Sequence, residues 1–95
     1  MPDNKKFTKG ETNLMKEFGL NGFDPYETAK EYEATNPFSG VAVQLNTFGA
    51  TLYALIKGME AKYNRRDKTF KQQKFDRLRM LFLKLFPSEW MDLLD

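Results

Sequence analysis

The stretch "NTFGATLYALIKGMEAKYN", residues 46–64, decides the fold of this 95-residue chain. At 100° per residue its bulky apolar side chains share one stripe about 100° wide. They are Phe48, Leu52, Leu55, Ile56, Met59 and Tyr63. The opposite side carries the small residues Ala50, Ala54, Gly58 and Ala61. With Asn46 or Thr47 as its cap, we predict a helix over residues 48–64 that is buried on both sides and forms the hub of the fold.

A second long helix is predicted over residues 68–86, after the charged turn "NRRDK", with Asp67 or Thr69 as its cap. Its apolar face would be broad, and the apolar stems of Lys71 and Lys74 would lie along that face. The members of the face are Phe70, Phe75, Leu78, Leu81, Phe82, Leu85 and Phe86. We expect the two long helices to form an antiparallel hairpin.

The C-terminal stretch "PSEWMDLLD" is predicted to cover the end of the second helix. Pro87 would stop that helix, and Ser88 would cap a final turn. Trp90, Met91 and Leu94 would then fold back onto it.

Two shorter helices are predicted in the N-terminal half. The first would run over residues 11–18 and end at Gly19. The second would start at Asp24, with Pro25 in its first turn and Glu27 completing a capping box, and would end before Pro37.

The next stretch, "NPFSG", has the composition of a turn. We expect Phe38 to return from it to the core. The alternating "VAVQL", residues 41–45, favours an extended segment. Whether that segment is a packed connector or pairs with a partner chain is left open.

These elements define a mainly α protein, a small three- to four-helix bundle with a short extended segment near residues 41–45. Residues 1–10 are expected to be a polar, mobile lead-in, and residues 11–95 a single helical domain. The N-terminus lacks the apolar run of a signal peptide. Residues 34–56 carry no charge, but polar residues, Pro and Gly interrupt them, so we expect no membrane span.

The composition argues against an enzyme, because the chain contains neither Cys nor His. Thiol and imidazole chemistry are thereby excluded, together with the usual zinc ligands. Asp24, Glu27 and Glu31 are a conceivable cation site, but a capped helix start with a solvated acidic face explains them better. Ser39 and Lys57 would be a catalytic pair only by conjecture. We expect no cofactor, no metal and no catalytic residue.

Charge is unevenly distributed: residues 1–56 carry a net −2, residues 57–84 a net +7 and residues 85–95 a net −3. Two kinds of contact are consistent with this pattern. A protein partner would be bound by the turn residues Arg65, Arg66 and Lys68 together with the Trp90 end. A nucleic acid would be bound through residues 62–79, with Lys68, Lys71 and Arg79 contacting phosphates and Tyr63 and Phe70 stacking on bases. The candidate contact residues are Lys62, Arg65, Arg66, Lys68, Lys71, Trp90 and Met91.

Three segments carry a resemblance: "NPFSG" at residues 36–40, "LYALIKGME" at 52–60 and "FPSEWMDLLD" at 86–95. They resemble a group of small uncharacterised proteins of tailed bacteriophages. In that group an N-P-[FY]-[ST]-G turn precedes a Y-x-x-I-x-G helix, and the chain ends in P-x-x-[YW]-M-x-L-L-D. The resemblance implies a location in the host bacterial cytoplasm or in the virion. It carries over no activity and no catalytic residue.

The function predicted from residues and resemblance is that of a non-enzymatic phage-type accessory protein. It would bind a host or viral protein and would inhibit, for example, a host defence or replication component. Nucleic-acid binding and a minor structural role in the virion are the alternatives. A homo-oligomer is a further alternative that the sequence leaves open.

Overall fold

Four helices and a two-stranded antiparallel sheet make up the computed structural model of the protein, which describes residues 7–94. The predicted mainly α class is confirmed. In chain order the elements are α1 Lys9–Glu17, a short 3₁₀ turn Leu20–Gly22, β1 Tyr32–Thr35, β2 Ala42–Leu45, α2 Thr47–Asn64, α3 Gln72–Leu85 and α4 Pro87–Leu93.

Helix α2 packs against α3, both strands and the 3₁₀ turn, and it starts where the sequence predicts. The Asn46 side chain caps it by accepting a hydrogen bond from the Gly49 N–H at 2.7 Å. From its bulky stripe Phe48, Leu52 and Ile56 are fully buried. The central position of α2 follows from this stripe, because removing large apolar side chains from water is the main stabilising term in folding.

The predicted burial of α2 on both sides is wrong. Ala54 and Gly58 are exposed, and a Cβ added at Gly58 would meet nothing within 4 Å. Small residues expose little apolar area, so leaving this side open to water has a small energetic effect. The close approach occurs instead at Gly49, where a Cβ would lie 3.2 Å from the Phe86 ring.

Helix α3 supplies the second half of the core through Leu78, Leu81 and Phe82, all fully buried. The Phe82 ring lies 5.2 Å from Phe86 and 6.2 Å from Tyr53, centroid to centroid. These contacts are in the range of favourable aromatic pairs. The predicted apolar face therefore packs against α2.

The predicted start of this helix at residue 68 is wrong, since α3 begins at Gln72. Asp67 does not cap it: its Oδ1 accepts hydrogen bonds from the N–H and the hydroxyl of Thr69, at 2.8 and 2.7 Å. Such a local turn competes with helix formation. Four residues that were expected in the helix therefore belong to the turn that precedes it.

The helix predicted to start at Asp24 is also wrong. The Asp24 Oδ1 does accept a hydrogen bond from the Tyr26 N–H at 2.9 Å, but the chain then leaves the helical path. Strand β1 forms instead and pairs with β2 in the register Tyr32↔Leu45 to Thr35↔Ala42. Pairing with β2 outweighs the capping signal because the apolar stripe of the expected helix is thin. It also gives the predicted extended segment a partner within the same chain.

The predicted "NPFSG" turn joins the two strands. Asn36 Oδ1 accepts hydrogen bonds from the N–H groups of Phe38 and Ser39, and Gly40 adopts φ 79°. The Asn36 Nδ2 donates to the Asp92 carbonyl of α4 at 2.9 Å. The expected return of Phe38 to the core is wrong, because this turn holds the side chain 94% exposed at its tip.

Helix α1 lies antiparallel to α3. Glu11, near the start of α1, pairs with Lys84 near the end of α3 at 3.0 Å, and Glu17 pairs with Lys74 at the opposite ends. Thr8 and Glu11 form a reciprocal capping box at the first turn of α1. Of the predicted lead-in, residues 1–6 lie outside the described residues and Lys9 already belongs to α1.

Helix α4 is the last element, and Pro87 is its first residue. The prediction that Ser88 caps this helix is wrong, because Phe86 occupies the cap position and no side chain of the described residues caps the helix. Leu93 is buried and Trp90 is partly buried against the core, whereas Met91 remains exposed. Within residues 7–94, no helix is long and apolar enough to cross a bilayer.

The core around α2 can be tested by truncating Leu52. Leu52→Ala should lower the free energy of unfolding by about 2–5 kcal/mol, because it leaves a cavity among fully buried side chains. Met80→Ala, at an exposed position of α3, is the control and should change the free energy of unfolding by less than about 0.5 kcal/mol. Urea titrations followed by circular dichroism measure both, and equal effects would contradict the described core.

The capping box and ion pair of Glu11 predict a pH dependence. Burial raises the pKa of this carboxyl, but hydrogen bonds from the Thr8 N–H and Lys84, with the charge of Lys84, outweigh it and hold the pKa below its ordinary value. The stabilisation is therefore complete above the unfolded-state pKa, about 4.3, and is lost as the pH falls through the lower folded-state pKa. Between pH 7 and 3, the free energy of unfolding should fall less in Glu11→Gln than in the original protein, as measured by unfolding titrations. Equal falls in the two proteins would refute this role of Glu11.

Candidate interaction site

Four aromatic rings and one guanidinium form a continuous series from the end of α2 to α4. The Tyr63 and Phe70 ring centroids are 5.3 Å apart, and those of Phe70 and Phe75 are 5.5 Å apart. The Arg79 Cζ lies 5.3 Å from the centroid of Phe75 and 5.3 Å from that of Trp90. We call these five residues the aromatic row. It places the α2–α3 turn and Trp90 on one continuous surface.

The backbone at the start of the row ends α2 in a Schellman motif. The Arg66 N–H donates to the Tyr63 carbonyl at 3.0 Å, and the Asp67 N–H donates to the Lys62 carbonyl at 2.9 Å. Arg66 occupies the position with φ 58°, where glycine is usual because a Cβ is disfavoured there. The turn therefore carries an arginine where the backbone favours glycine. Local backbone stability does not explain the presence of this side chain.

The α2–α3 turn is strongly cationic. We call Lys62, Arg65, Arg66, Lys68 and Lys71 the basic turn. Lys62 is half-buried and the other four are exposed. Among the ion pairs within residues 7–94, only that of Arg65 with Asp67 involves this cluster, at 3.6 Å. Arg66, Lys68 and Lys71 are thus exposed and make no ion pair in the part of the chain described.

Asp67 is the acid inside this turn, and it stays ionised. The hydrogen bond from the Thr69 hydroxyl and that from the Thr69 N–H lower the pKa of its carboxyl, helped by the charges of Lys62 and Arg65. One negative charge therefore opposes five positive ones. The surface remains suited to an anionic partner, and its attraction should weaken with salt.

The structure brings most of the predicted contact residues together. Trp90 connects to the basic turn through the aromatic row, whereas Met91 is 67% exposed and lies on the solvent side of α4, outside that row. Sequence reasoning named Arg79 as a phosphate contact but missed its contact with two rings. The spacing of Phe75 and Arg79, four residues apart in one helix, was an available signal for half of that contact.

A groove of about 220 Å³ lies beside the row, between the end of α2, α3 and the C-terminal end of α4. It is lined by Ile56, Glu60, Tyr63, Asn64, Phe75, Arg79 and Leu94. Three members of the row thus also form a wall of this groove.

The acidic residues considered for a cation lie elsewhere. The Asp24 carboxylate accepts from the Tyr26 N–H, and the Glu27 carboxylate accepts from the Ala29 N–H at 3.3 Å. Across residues 7–94, no three Asp or Glu side chains converge as a metal site would require.

Comparisons of the chain with protein-family models, with curated proteins and with solved structures found no match.

The positive φ of Arg66 predicts that a substitution at this position stabilises the protein. Arg66→Gly should raise the free energy of unfolding by up to about 1 kcal/mol, because glycine accepts a positive φ without a Cβ clash. Arg65→Gly is the matched control: its φ of −85° is ordinary, so glycine there should destabilise by roughly 0.5–1 kcal/mol. Urea unfolding of both variants decides, and a loss of stability in Arg66→Gly would show that the side chain serves the fold.

Proposed function

We propose that the protein is a non-enzymatic binding protein that recognises an acidic surface of another protein through the basic turn and the aromatic row. The observation that carries the proposal is the contact of Arg79 with both Phe75 and Trp90. This contact makes the cationic turn and the only tryptophan of the chain parts of one surface. Tryptophan, tyrosine and arginine are the residues that most often dominate protein interfaces.

The charge of the basic turn suits an acidic partner surface. Complementary charges speed the encounter and fix the orientation of the partners, while desolvated aromatic groups supply affinity. Tyr63 is 59% exposed at the junction of turn and row, so it is accessible to such a partner. The positive φ of Arg66 supports the same proposal, because it indicates a side chain kept for a purpose other than stability.

Protein recognition is favoured over stacking on nucleic-acid bases by the packing within the row. Phe70 packs against Tyr63 at 55° and against Phe75 edge to face at 61°, and the Arg79 guanidinium lies over the Phe75 and Trp90 rings. A base needs an open ring face on which to stack. Nucleic-acid binding through residues 62–79 is therefore the second candidate, favoured by the charge of the turn and by the exposed ring of Tyr63.

The resemblance to small phage proteins supplies the biological setting of the proposal. The protein would act inside an infected bacterium as an accessory protein, on a host or viral partner such as a defence or replication component. A place in the virion is the alternative, and mass spectrometry of purified particles separates the two. Stoichiometric amounts in the particle would favour the virion, whereas absence or traces would favour the accessory role.

The proposed surface can be tested by charge reversal. Arg65→Glu plus Arg66→Glu should abolish capture of a protein partner from nuclease-treated bacterial lysate by the immobilised protein. The control, Lys16→Glu plus Lys30→Glu, makes the same change of net charge at exposed residues outside the site and should retain capture. Quantitative mass spectrometry of the captured proteins at low and high salt is the measurement.

Three outcomes of this experiment would contradict the proposal. The first is capture that survives the reversal at the turn, and the second is equal loss in the control. The third is recovery of nucleic acid alone when nuclease is omitted, which would favour the second candidate. A supporting result needs a nuclease-resistant protein partner whose binding is salt-dependent and specific to the turn.

A further inference from the structure

The groove beside the aromatic row combines an apolar wall with one arginine. Leu94, Phe75 and the ring of Tyr63 provide apolar surface above the buried Ile56, and Asn64, Glu60 and Arg79 are the polar members of the lining. Pockets for drug-sized molecules and cofactors measure about 300–1,000 Å³. At about 220 Å³ the groove is smaller, which suits one or two side chains of a protein partner.

The charges that line this groove do not cancel each other. The Glu60 carboxylate pairs with Lys57 at 2.6 Å, one turn along α2, so a neighbouring cation offsets its charge. Arg79 makes no ion pair with any acid among residues 7–94. The uncompensated charge in the groove is therefore the guanidinium, and an anion is the complementary ligand.

Arg79 makes no side-chain hydrogen bond within residues 7–94, so its N–H donors are open to a ligand. Its Cζ lies 5.3 Å from the Phe75 centroid and 5.3 Å from the Trp90 centroid, within cation–π distance of both rings. The N–H donors lie in the plane of the group, in the fork that matches a carboxylate. The two rings also restrict the side chain, so less entropy is lost when a ligand binds.

We infer that this groove binds a carboxylate next to a branched apolar group, as in an acidic residue beside a leucine of the partner. Arg79 would hold the carboxylate, and Phe75, Leu94 and the ring of Tyr63 would cover the apolar group. The inference deepens the proposed function, since it assigns a specific anchor to the acidic partner that the basic turn attracts. It depends on a part of the surface that the charge reversal at the turn leaves intact.

Small carboxylates test the groove without the partner. We would titrate the ¹⁵N-labelled protein with 4-methylpentanoate, which carries both groups, and follow the Arg79 Nε–H and Trp90 indole N–H signals. Acetate and 3-methylbutanol carry one group each. We expect saturable shifts with 4-methylpentanoate in the millimolar range, corresponding to roughly −4 kcal/mol, and at least fivefold weaker binding of the other two probes.

Variants identify the residue and separate this inference from the proposed function. Arg79→Gln should abolish the saturable Trp90 shift, and Arg79→Lys, which keeps the charge but not the planar fork, should weaken binding at least fivefold. Lys16→Glu plus Lys30→Glu, outside both the basic turn and the groove, should leave 4-methylpentanoate binding within twofold of the original. Unchanged circular dichroism confirms that each variant is folded.

The inference is overturned if 4-methylpentanoate gives no saturable shift, if acetate binds as tightly, or if Arg79→Lys binds equally well. Binding of 4-methylpentanoate in the groove without capture of a partner from lysate would refute the proposed function but not this inference. Capture of a partner without binding of 4-methylpentanoate would refute this inference but not the proposed function.

Discussion

One buried amide joins the two halves of this protein. Asn46 is 2% exposed, and its Oδ1 accepts the Gly49 N–H at 2.7 Å to start α2. Its Nδ2 donates to the carbonyls of Pro25 and Glu27, at 3.1 and 3.0 Å. Buried polar groups need such partners. Here one side chain bonds both to the start of α2 and to the loop that leads into the β-hairpin. It holds the loop before β1 against the start of α2, and the packing of both strands on that helix acts in the same place.

The candidate interaction surface is built on the opposite end of the same helix. Because Phe48, Leu52 and Ile56 fix α2 in the core, its C-terminal Schellman motif holds the basic turn in a defined place. The aromatic row then connects that turn to α4, whose Leu93 is buried. A surface supported by packed helices loses little conformational entropy on binding, which is how a chain of this size can present a specific contact.

The sequence predicted the elements whose signal is local. The helical period of residues 48–64 identified α2, the apolar face over residues 75–86 identified most of α3, and Pro37 with Gly40 identified the turn. It failed where a distant partner decided the outcome. Strand β1 pairs with β2 where the capping signal at Asp24 predicted a helix, and no element in the described part of the chain covers Ala54 and Gly58 on the small-residue face of α2. The contact of Arg79 with Trp90 joins two helices, so no spacing in the sequence reveals it.

Hydrogen exchange in two Asn46 variants tests the joining role most directly. Serine at this position keeps an acceptor for the Gly49 N–H but lacks the Nδ2 amide that donates to the Pro25 and Glu27 carbonyls, whereas alanine loses all three bonds. In Asn46→Ser, the Gly49 amide should keep its protection, while the amides bonded across β1 and β2 should exchange at least tenfold faster. In Asn46→Ala, both should lose protection. Hairpin amides that stay as protected as those of α2 in both variants would contradict the account.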